Sequence, residues 1–292
     1  RHRGIGGFTL TGPIKITDRT ISIPRLGRLR LKEHGYLPID AGVTAVTVSE
    51  RAGRWFVSVR IKGEPRRNSG AEVLGVDVGI KVMAVLSDGT TFENPRALRC
   101  AEKRLRVLQK SVSRKVEGSN NRKRAVRRLA QQHYRISCVR NDAVHKATDV
   151  ITKRASLIGI ESLNVAGMLK NRRLSKALSD ASMAEFHRQI EYKMSWSGGA
   201  VVKADRFFPS SKMCSRCGCV RDRLDLSERT FVCNGCGFTI DRDVNAAVNL
   251  KNLAASSAAI ACRHGSSGLN FRSSETSIWA GTERHDGLVL HG

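Results

Sequence analysis

The chain is 292 residues long, enough for one large domain or two to three small ones with a hydrophobic core. Hydrophobic residues make up 40% of it, a share that excludes a wholly disordered chain. Its 51 Lys and Arg residues outnumber its 26 Asp and Glu residues, which gives a formal net charge of +25. Such an excess repels itself unless a polyanion neutralises it, and nucleic acid is the usual polyanion. Charge therefore predicts the class of partner, but it does not separate an enzyme from a protein that only coats RNA.

Membrane and secreted classes are disfavoured by the sequence. No apolar run reaches the roughly 20 residues that a membrane helix requires, so no membrane partner is expected. The beginning, Arg1–Gly4, carries no initiator Met and no signal peptide, as is typical of a chain entered partway through a longer protein. Four of the eight Cys stand in Cys-x-x-Cys pairs, which without a secretory signal indicates a metal site and a reducing, cytoplasmic compartment.

Residues 1–70 are predicted to form a small, partial β-barrel, because short alternating segments are separated there by Gly, Pro and Asp. The predicted strands are 8–10, 14–16, 20–23, 29–31, 45–48 and 55–59, the last two forming a hairpin. From residue 71 the pattern changes to an α/β domain that opens on a three-strand meander. Its predicted elements are strands at 73–79, 83–86, 90–93, 157–161 and 200–204, with helices around 183–194 and from about 243. The Ser- and Gly-rich residues 254–292 are predicted to be a disordered tail.

A very basic stretch, 96–154, is predicted to be an antiparallel helical hairpin broken at 118–121. The apolar seam of the hairpin is expected at Leu98, Ala101, Leu105, Leu108, Val112 and Val116, then Val126, Leu129, Ile136, Ala143, Ala147 and Val150. A solvated helix face normally mixes charges of both signs, whereas basic residues dominate here, which favours phosphate contact. The residues predicted to bind phosphate are Arg114, Lys115, Arg122, Lys123, Arg124, Arg127, Arg128 and Arg135.

Two Cys-x-x-Cys-Gly knuckles provide the most specific motif, predicted as a zinc ribbon at 214–237. Cys214 and Cys217 form the first knuckle, and Cys233 and Cys236 form the second. Four thiolates complete a tetrahedron around Zn²⁺ with no open position, which indicates a structural rather than a catalytic site. A pair of redox dithiols is the alternative, and Cys219 could substitute as a ligand.

Three carboxylates stand at places where strands end or a helix begins. Asp77 lies in an otherwise apolar strand and Glu161 ends another, while Asp243 lies at the start of the last helix. A buried unpaired carboxylate is costly, but the cost is tolerable at a cleft where Mg²⁺ binds. Each residue has a structural alternative, and Asp243 or Asp241 could instead be a helix N-cap. As an ordered set they match the layout of a ribonuclease-H-like nuclease with two Mg²⁺ ions.

Together these motifs resemble the TnpB (OrfB) proteins of bacterial insertion sequences, relatives of type V CRISPR nucleases. The resemblance extends from about residue 8 to residue 253 and is carried by four stretches: 75–81, 159–164, 205–214 and 233–247. It implies a RuvC-like, ribonuclease-H-like α/β domain in segments 71–213 and 238–253, split by the zinc ribbon and preceded by a wedge-type, oligonucleotide-binding-like barrel. It also implies an RNA guide transcribed from the element's end, a DNA target, and Arg206 as a further nucleic-acid-binding residue.

Carried onto this sequence, the resemblance assigns the catalytic, Mg²⁺-binding acids to Asp77, Glu161 and Asp243. The expected function is an RNA-guided, Mg²⁺-dependent DNA endonuclease that is truncated at its N-terminus. Two alternatives remain: a non-cleaving RNA-guided repressor built on the same scaffold, and a zinc-ribbon RNA-binding protein without chemistry. Retention of all three acids favours the nuclease.

Overall fold

A computed structural model describes residues 6–33, 35, 39, 42–62, 70–225 and 228–263. These residues fall into two compact units. The first takes in the described residues up to 62 together with 97–142, and the second takes in 70–96 and 143–263. Across these ranges, no helix is both long and apolar enough to cross a bilayer.

The first unit begins with two small antiparallel sheets that share one core. Their strands are β1 (Gly7–Leu10), β2 (Lys15–Ile16), β3 (Thr20–Ile23), β4 (Gly27–Arg30), β5 (Val43–Arg51) and β6 (Arg54–Ile61). The strand orders are β1-β5-β6 and β2-β3-β4, so the predicted hairpin is β5–β6. Inward residues from both sheets, among them Ile21, Val46 and Val57, form the core. Within the described residues, no strand pairing joins the two sheets.

Two helices, α1 (Ala97–Ser113) and α2 (Asn120–Arg154), occupy the stretch predicted to be a helical hairpin. In the first unit they pack through Ala97, Leu105 and Ile136, with Leu98, Ala101 and Leu129 partly buried against them.

The predicted seam was wrong at three valines, since Val116, Val126 and Val150 are 78%, 46% and 45% exposed. Val116 lies beyond the end of α1. The inward positions beside the other two are taken by Ala125 and Ile151, which are buried.

The second unit is built on a five-stranded mixed sheet. Its strands are β7 (Glu72–Val78), β8 (Val82–Leu86), β9 (Thr91–Glu93), β10 (Ala155–Ile160) and β11 (Ala200–Lys203), in the order β11-β10-β7-β8-β9. The meander β7–β8–β9 is antiparallel as predicted, while β10 runs parallel to both β7 and β11. Its helices are α3 (Val165–Met168), α4 (Ser175–Ala181), α5 (Met183–Ser197) and α6 (Arg242–Arg263).

Helix α6 packs closely against the backbone of the sheet at two glycines. Gly75 of β7 and Gly159 of β10 are paired across the parallel strands. A Cβ added to Gly75 would lie 1.8 Å from the Ala247 carbonyl oxygen, and one added to Gly159 would lie 2.2 Å from the Leu250 carbonyl oxygen. Only glycine fits at both positions. This pair, called the glycine floor, has no side chains and so allows α6 to pack directly on the centre of the sheet.

The predicted start of the disordered tail at Ala254 was wrong. Helix α6 continues to Arg263, and Ala254 itself is fully buried. Alanines favour the helix in this segment, since Ala costs the least conformational entropy of any residue in a helix. The rest of the predicted tail, 264–292, lies outside the described residues.

Candidate metal centres and nucleic-acid surface

The four predicted cysteines converge on a single site. Their Sγ atoms all lie within 4.8 Å of one another. Cys214 Sγ is 3.8 Å from Cys236 Sγ, and Cys217 Sγ is 3.5 Å from Cys233 Sγ. Thiolates about 2.3 Å from a tetrahedral zinc ion stand about 3.8 Å apart, so the site fits a metal such as zinc. Cys219 is exposed and is not part of this cluster.

Backbone geometry explains why each knuckle ends in glycine. Gly218 and Gly237 have φ values of 76° and 70°, in the left-handed region that favours glycine. Their N–H groups donate to the carbonyl oxygens of Cys214 and Cys233 and so close the turns. In the second knuckle the N–H groups of Cys236 and Gly235 donate to Cys233 Sγ and lower the pKa of that thiol to about 6. The turn is therefore shaped to hold a thiolate.

The ribbon connects directly to the last helix. Its strands β12 (Thr230–Val232) and β13 (Thr239–Asp241) pair around buried Phe231, and α6 starts at the next residue. Asp241 Oδ1 accepts hydrogen bonds from the backbone N–H groups of Asp243 (2.9 Å) and Val244 (3.1 Å). These are the contacts of a helix N-cap, so the Asp241 side chain has a structural role. They do not involve the side chain of Asp243.

The register of the sheet brings the two strand acids together. Gly75 and Gly159 are paired, and each stands two residues before an acid, Asp77 or Glu161. Since side chains alternate along a strand, both acids lie on the face that the glycines present to α6. Asp243 is one helical turn before Ala247, the residue that lies over Gly75. The three acids therefore meet at the end of the glycine floor.

The Asp77 carboxylate is affected electrostatically by both of the other acids. The pKa of Asp77 is raised well above its usual value, first because the carboxylate is buried, then because Glu161 and Asp243 are negatively charged. Arg242 partly offsets the repulsion. A bound cation would relieve both the cost of burial and the repulsion between the like charges.

The two outer acids are held by protein partners. Ser210 Oγ donates to Glu161 Oε1, and Asp243 is ion-paired with Arg242 (3.4 Å) and Arg229 (3.8 Å). Among the described residues, the four cysteines are the group of potential metal ligands whose ligand atoms all lie within 4.8 Å of one another. The carboxylate oxygens of the three acids therefore do not all lie this close to one another.

Sequence reasoning missed the residues that join the ribbon to this cluster. Asn249 Nδ2 donates to the carbonyl oxygens of Ser210 (2.7 Å) and Met213 (2.6 Å), and Asn245 Nδ2 also donates to the latter (2.7 Å). Both asparagines are buried on one face of α6, four residues apart. The i, i+4 spacing of two Asn in an apolar helix was the available signal, but their partners were not visible in the sequence.

The predicted phosphate-binding residues of the hairpin differ in availability. Lys123, Arg124 and Arg128 project from the exposed surface of α2. Arg127 Nη2 donates to the Gly53 carbonyl oxygen (3.3 Å) at the turn between β5 and β6, and Arg122 is paired with Glu117 (3.4 Å).

The other predicted phosphate-binding residues lie elsewhere on the two units. Arg114 and Lys115 lie in the turn after α1, and Arg135 lies on the exposed surface of α2. Arg206 lies in the second unit beside the loop that contains Ser210, with its guanidinium 5.7 Å from the ring centroid of Phe207.

Two protein-family models match the chain. OrfB_IS605, described as "Probable transposase", matches residues 56–172, and the Cas12f1-like TNB domain matches residues 184–250. The first match spans the meander and hairpin, and the second spans the ribbon and the beginning of α6, up to residue 250.

Several curated proteins are similar in sequence. A protein of Streptomyces pristinaespiralis named "Putative RNA-guided DNA endonuclease" is 45% identical over 78% of this chain and 57% of its own length. InsQ of Escherichia coli, with the same description, is 33% identical over 83% of this chain and 63% of its own length. The matched part of the chain thus spans about three fifths of these relatives. A CRISPR-Cas12f ternary complex is 22% identical with a TM-score of 0.47, over 73% of this chain and 46% of the solved one.

Proposed function

We propose that this chain, which belongs to the OrfB (TnpB) family, is the nuclease-bearing part of an RNA-guided, Mg²⁺-dependent DNA endonuclease. The observation that carries the proposal is the cluster of Asp77, Glu161 and Asp243, contributed by two neighbouring parallel strands and a helix N-terminus. No fold requirement explains three mutually repelling acids at one end of a sheet.

The strand order supports a ribonuclease-H-like (RuvC) assignment for the second unit. An antiparallel meander, β7–β8–β9, is continued on the side of β7 by two parallel strands, β10 and β11. The oligonucleotide-binding-like description of the first unit is supported by its short antiparallel strands and shared core. It is also consistent with the strongly basic part of α2, residues 120–142, which belongs to the same unit.

The chemistry follows from the acids and their partners. Bound Mg²⁺ ions would activate water and stabilise the leaving 3′ oxygen of a phosphodiester. Asp77, Glu161 and Asp243 are the residues that would hold these ions. Ser210 orients the Glu161 carboxylate, while Arg242 and Arg229 balance the charge of Asp243 in the metal-free protein. The four cysteines are proposed to hold a structural zinc ion that fixes the loop containing Ser210.

Guide RNA and target DNA are the proposed partners, as they are for the proteins that the relatives' names describe. A net charge of +25 and the exposed basic residues of α2 support phosphate binding. The test is to purify the chain, sequence the RNA that accompanies it, and supply DNA complementary to that RNA with Mg²⁺.

Wild-type protein is expected to cleave this DNA, and Asp77→Asn or Glu161→Gln should reduce cleavage at least 1,000-fold, a loss of about 4 kcal/mol in transition-state stabilisation. Asp222→Asn, at an exposed carboxylate of the ribbon, is the matched control and should keep full activity. RNA retention without Mg²⁺-dependent cleavage by the wild type would favour the repressor. Absence of DNA binding would favour a simple RNA-binding protein.

A further inference from the structure

Two buried asparagines of α6 hold the loop that leads from β11 into the ribbon. Asn245 and Asn249 stand four residues apart, so their side chains lie on the same side of the helix. Both are almost completely buried. Burial of an amide is costly unless its polar atoms are paired, so the hydrogen-bond partners of these two side chains show what each one does.

Asn245 binds the backbone on both sides of the first ribbon cysteine. Its Nδ2 atom donates to the Met213 carbonyl oxygen (2.7 Å), and its Oδ1 atom accepts from the backbone N–H of Ser215 (3.0 Å). Cys214 lies between these two residues and is itself buried. The amide therefore fixes the backbone that carries Cys214, and neither of these hydrogen bonds involves Ser210.

Asn249 holds both ends of the turn from Ser210 to Met213. Its Nδ2 atom donates to the carbonyl oxygens of both residues, at 2.7 Å and 2.6 Å. Carbonyl oxygens only accept, so this arrangement requires an NH₂ group with two donors. A hydroxyl group has one donor and would leave one of the two carbonyl oxygens without a partner. The Asn249 amide thereby determines where the Ser210 backbone lies.

The Ser210 side chain extends this constraint to an acid of the candidate metal site. Ser210 is buried, and its Oγ atom donates to Glu161 Oε1. Only the χ1 rotation separates this hydroxyl from the backbone, so a fixed Ser210 backbone leaves the oxygen three staggered positions. Asp243 lies in the first turn of the same helix as Asn249. Helix α6 therefore carries one acid and, through Ser210, holds a second.

We propose that Asn249 is a positioning residue of the nuclease. By holding the Ser210 backbone, it keeps the Ser210 hydroxyl on Glu161 and so preorganises that carboxylate for Mg²⁺. Asn245 serves the ribbon instead, since its hydrogen bonds flank Cys214. The role rests on the proposed function, because Glu161 is one of the acids proposed to hold the ions.

The test measures Mn²⁺ binding to the full chain, carrying zinc and freed of nucleic acid. The electron paramagnetic resonance signal of free Mn²⁺ reports how much ion is bound, and Asp77→Asn gives the binding that does not involve the acids. Loss of a partner that orients a metal ligand typically weakens the metal by about 10- to 100-fold. Ser210→Ala and Asn249→Ser should each weaken the Asp77-dependent binding by about that factor.

Asn245→Ser is the matched control. It also removes a buried amide of α6 with two hydrogen bonds to the same loop, so the melting temperature should fall. Its Mn²⁺ affinity should nevertheless stay within about 2-fold of wild type, because Asn245 does not contact Ser210. A role of Asn249 in stability alone would affect both variants alike.

A double variant tests whether Asn249 acts through Ser210. Ser210→Ala already removes the contact with Glu161, so the addition of Asn249→Ser should weaken Mn²⁺ binding by less than about 3-fold further, whereas independent effects would multiply. If Asn249→Ser does not fold, Asn249→Gln replaces it. That substitution keeps both donors but displaces them by one methylene, and it should weaken the binding by about 10-fold.

Wild-type Mn²⁺ affinity in Ser210→Ala or in the folded Asn249 variant would overturn the positioning role. Equal losses in the Asn245 and Asn249 variants, or multiplied losses in the double variant, would do the same. These outcomes leave the nuclease proposal standing as long as Asp77→Asn still reduces Mn²⁺ binding. Wild-type binding that Asp77→Asn does not change would contradict the proposed function as well.

Discussion

The close approach of α6 to the sheet predicts a severe effect for Gly75→Ala. The added Cβ would lie 1.8 Å from the Ala247 carbonyl oxygen and 2.5 Å from the Lys251 nitrogen. A carbon–oxygen contact shorter than 3.0 Å is essentially never seen, so the helix must retreat by at least 3.0 − 1.8 = 1.2 Å. Both opposing atoms belong to the backbone, and no side chain can rotate away to relieve the clash. Overpacking of this kind costs about 1 to 3 kcal/mol of folding stability.

Displacement of α6 also moves Asp243, which stands one turn before Ala247. A 1 Å misplacement of a catalytic group costs about 100-fold in rate, so Mg²⁺-dependent cleavage should fall by roughly that factor. Thermal melting should show a decrease of about 2 to 12 °C for a unit of this size. Gly42→Ala is the control, because the nearest atom to its added Cβ is 4.0 Å away. A Gly75→Ala protein with wild-type melting temperature and activity would refute the close packing and the placement of Asp243.

Three further outcomes are expected. Elemental analysis should find about one zinc per chain, and Cys233→Ser should lose the metal and lower the melting temperature, whereas Cys219→Ser, outside the cluster, should do neither. Replacement of Arg122, Lys123, Arg124 and Arg128 by Gln should reduce the slope of log association constant for RNA against log salt concentration by roughly 2.8 to 3.6 units in magnitude. An unchanged slope would mean that these residues form a solvated helix face and do not contact phosphate. His187 has a pKa of about 4 when folded against an ordinary 6.5, so the unfolded state takes up a proton that the folded state does not as pH falls through this window. Stability should therefore drop by up to about 3 kcal/mol between pH 7 and pH 4, and urea titrations of His187→Gln should show a smaller drop.

Local pattern was sufficient for the elements that carry their own signal. Alternation and apolar runs predicted β5, β6 and the meander from β7 to β9, because the order of apolar and polar residues within a strand indicates which of its sides is buried. The paired spacing of Cys214 with Cys217 and of Cys233 with Cys236 predicted a cluster that the structure confirms. In both cases the relevant contacts are specified by residues a few positions apart.

Features that depend on register or on distant partners were not predictable. The pairing of Gly75 with Gly159 arises from the alignment of β7 and β10, which no local pattern records. The contact of Ser210 with Glu161 spans 49 residues. Two seam positions on α2, Val126 and Val150, were wrong because a fixed three- and four-residue step does not follow a 35-residue helix at 3.6 residues per turn. The choice of Asp243 over Asp241 had only a thin basis in the sequence, whereas the capping hydrogen bonds give Asp241 a separate role.

Asp77, Glu161 and Asp243 are proposed to form one site for divalent metal ions. Mn²⁺ replaces Mg²⁺ at oxygen ligands and scatters X-rays anomalously, so crystals grown with Mn²⁺ report the ion positions directly. We expect anomalous peaks between these three carboxylates, with Asp77 contacting each ion and Asp243 released from Arg242 or Arg229. The same crystals of Asp77→Asn protein should lose the peaks while the remainder of the sheet is unchanged. Ordered Mn²⁺ elsewhere with none at Asp77, or a Glu161 side chain directed away from Asp77 in the presence of Mn²⁺, would contradict the account.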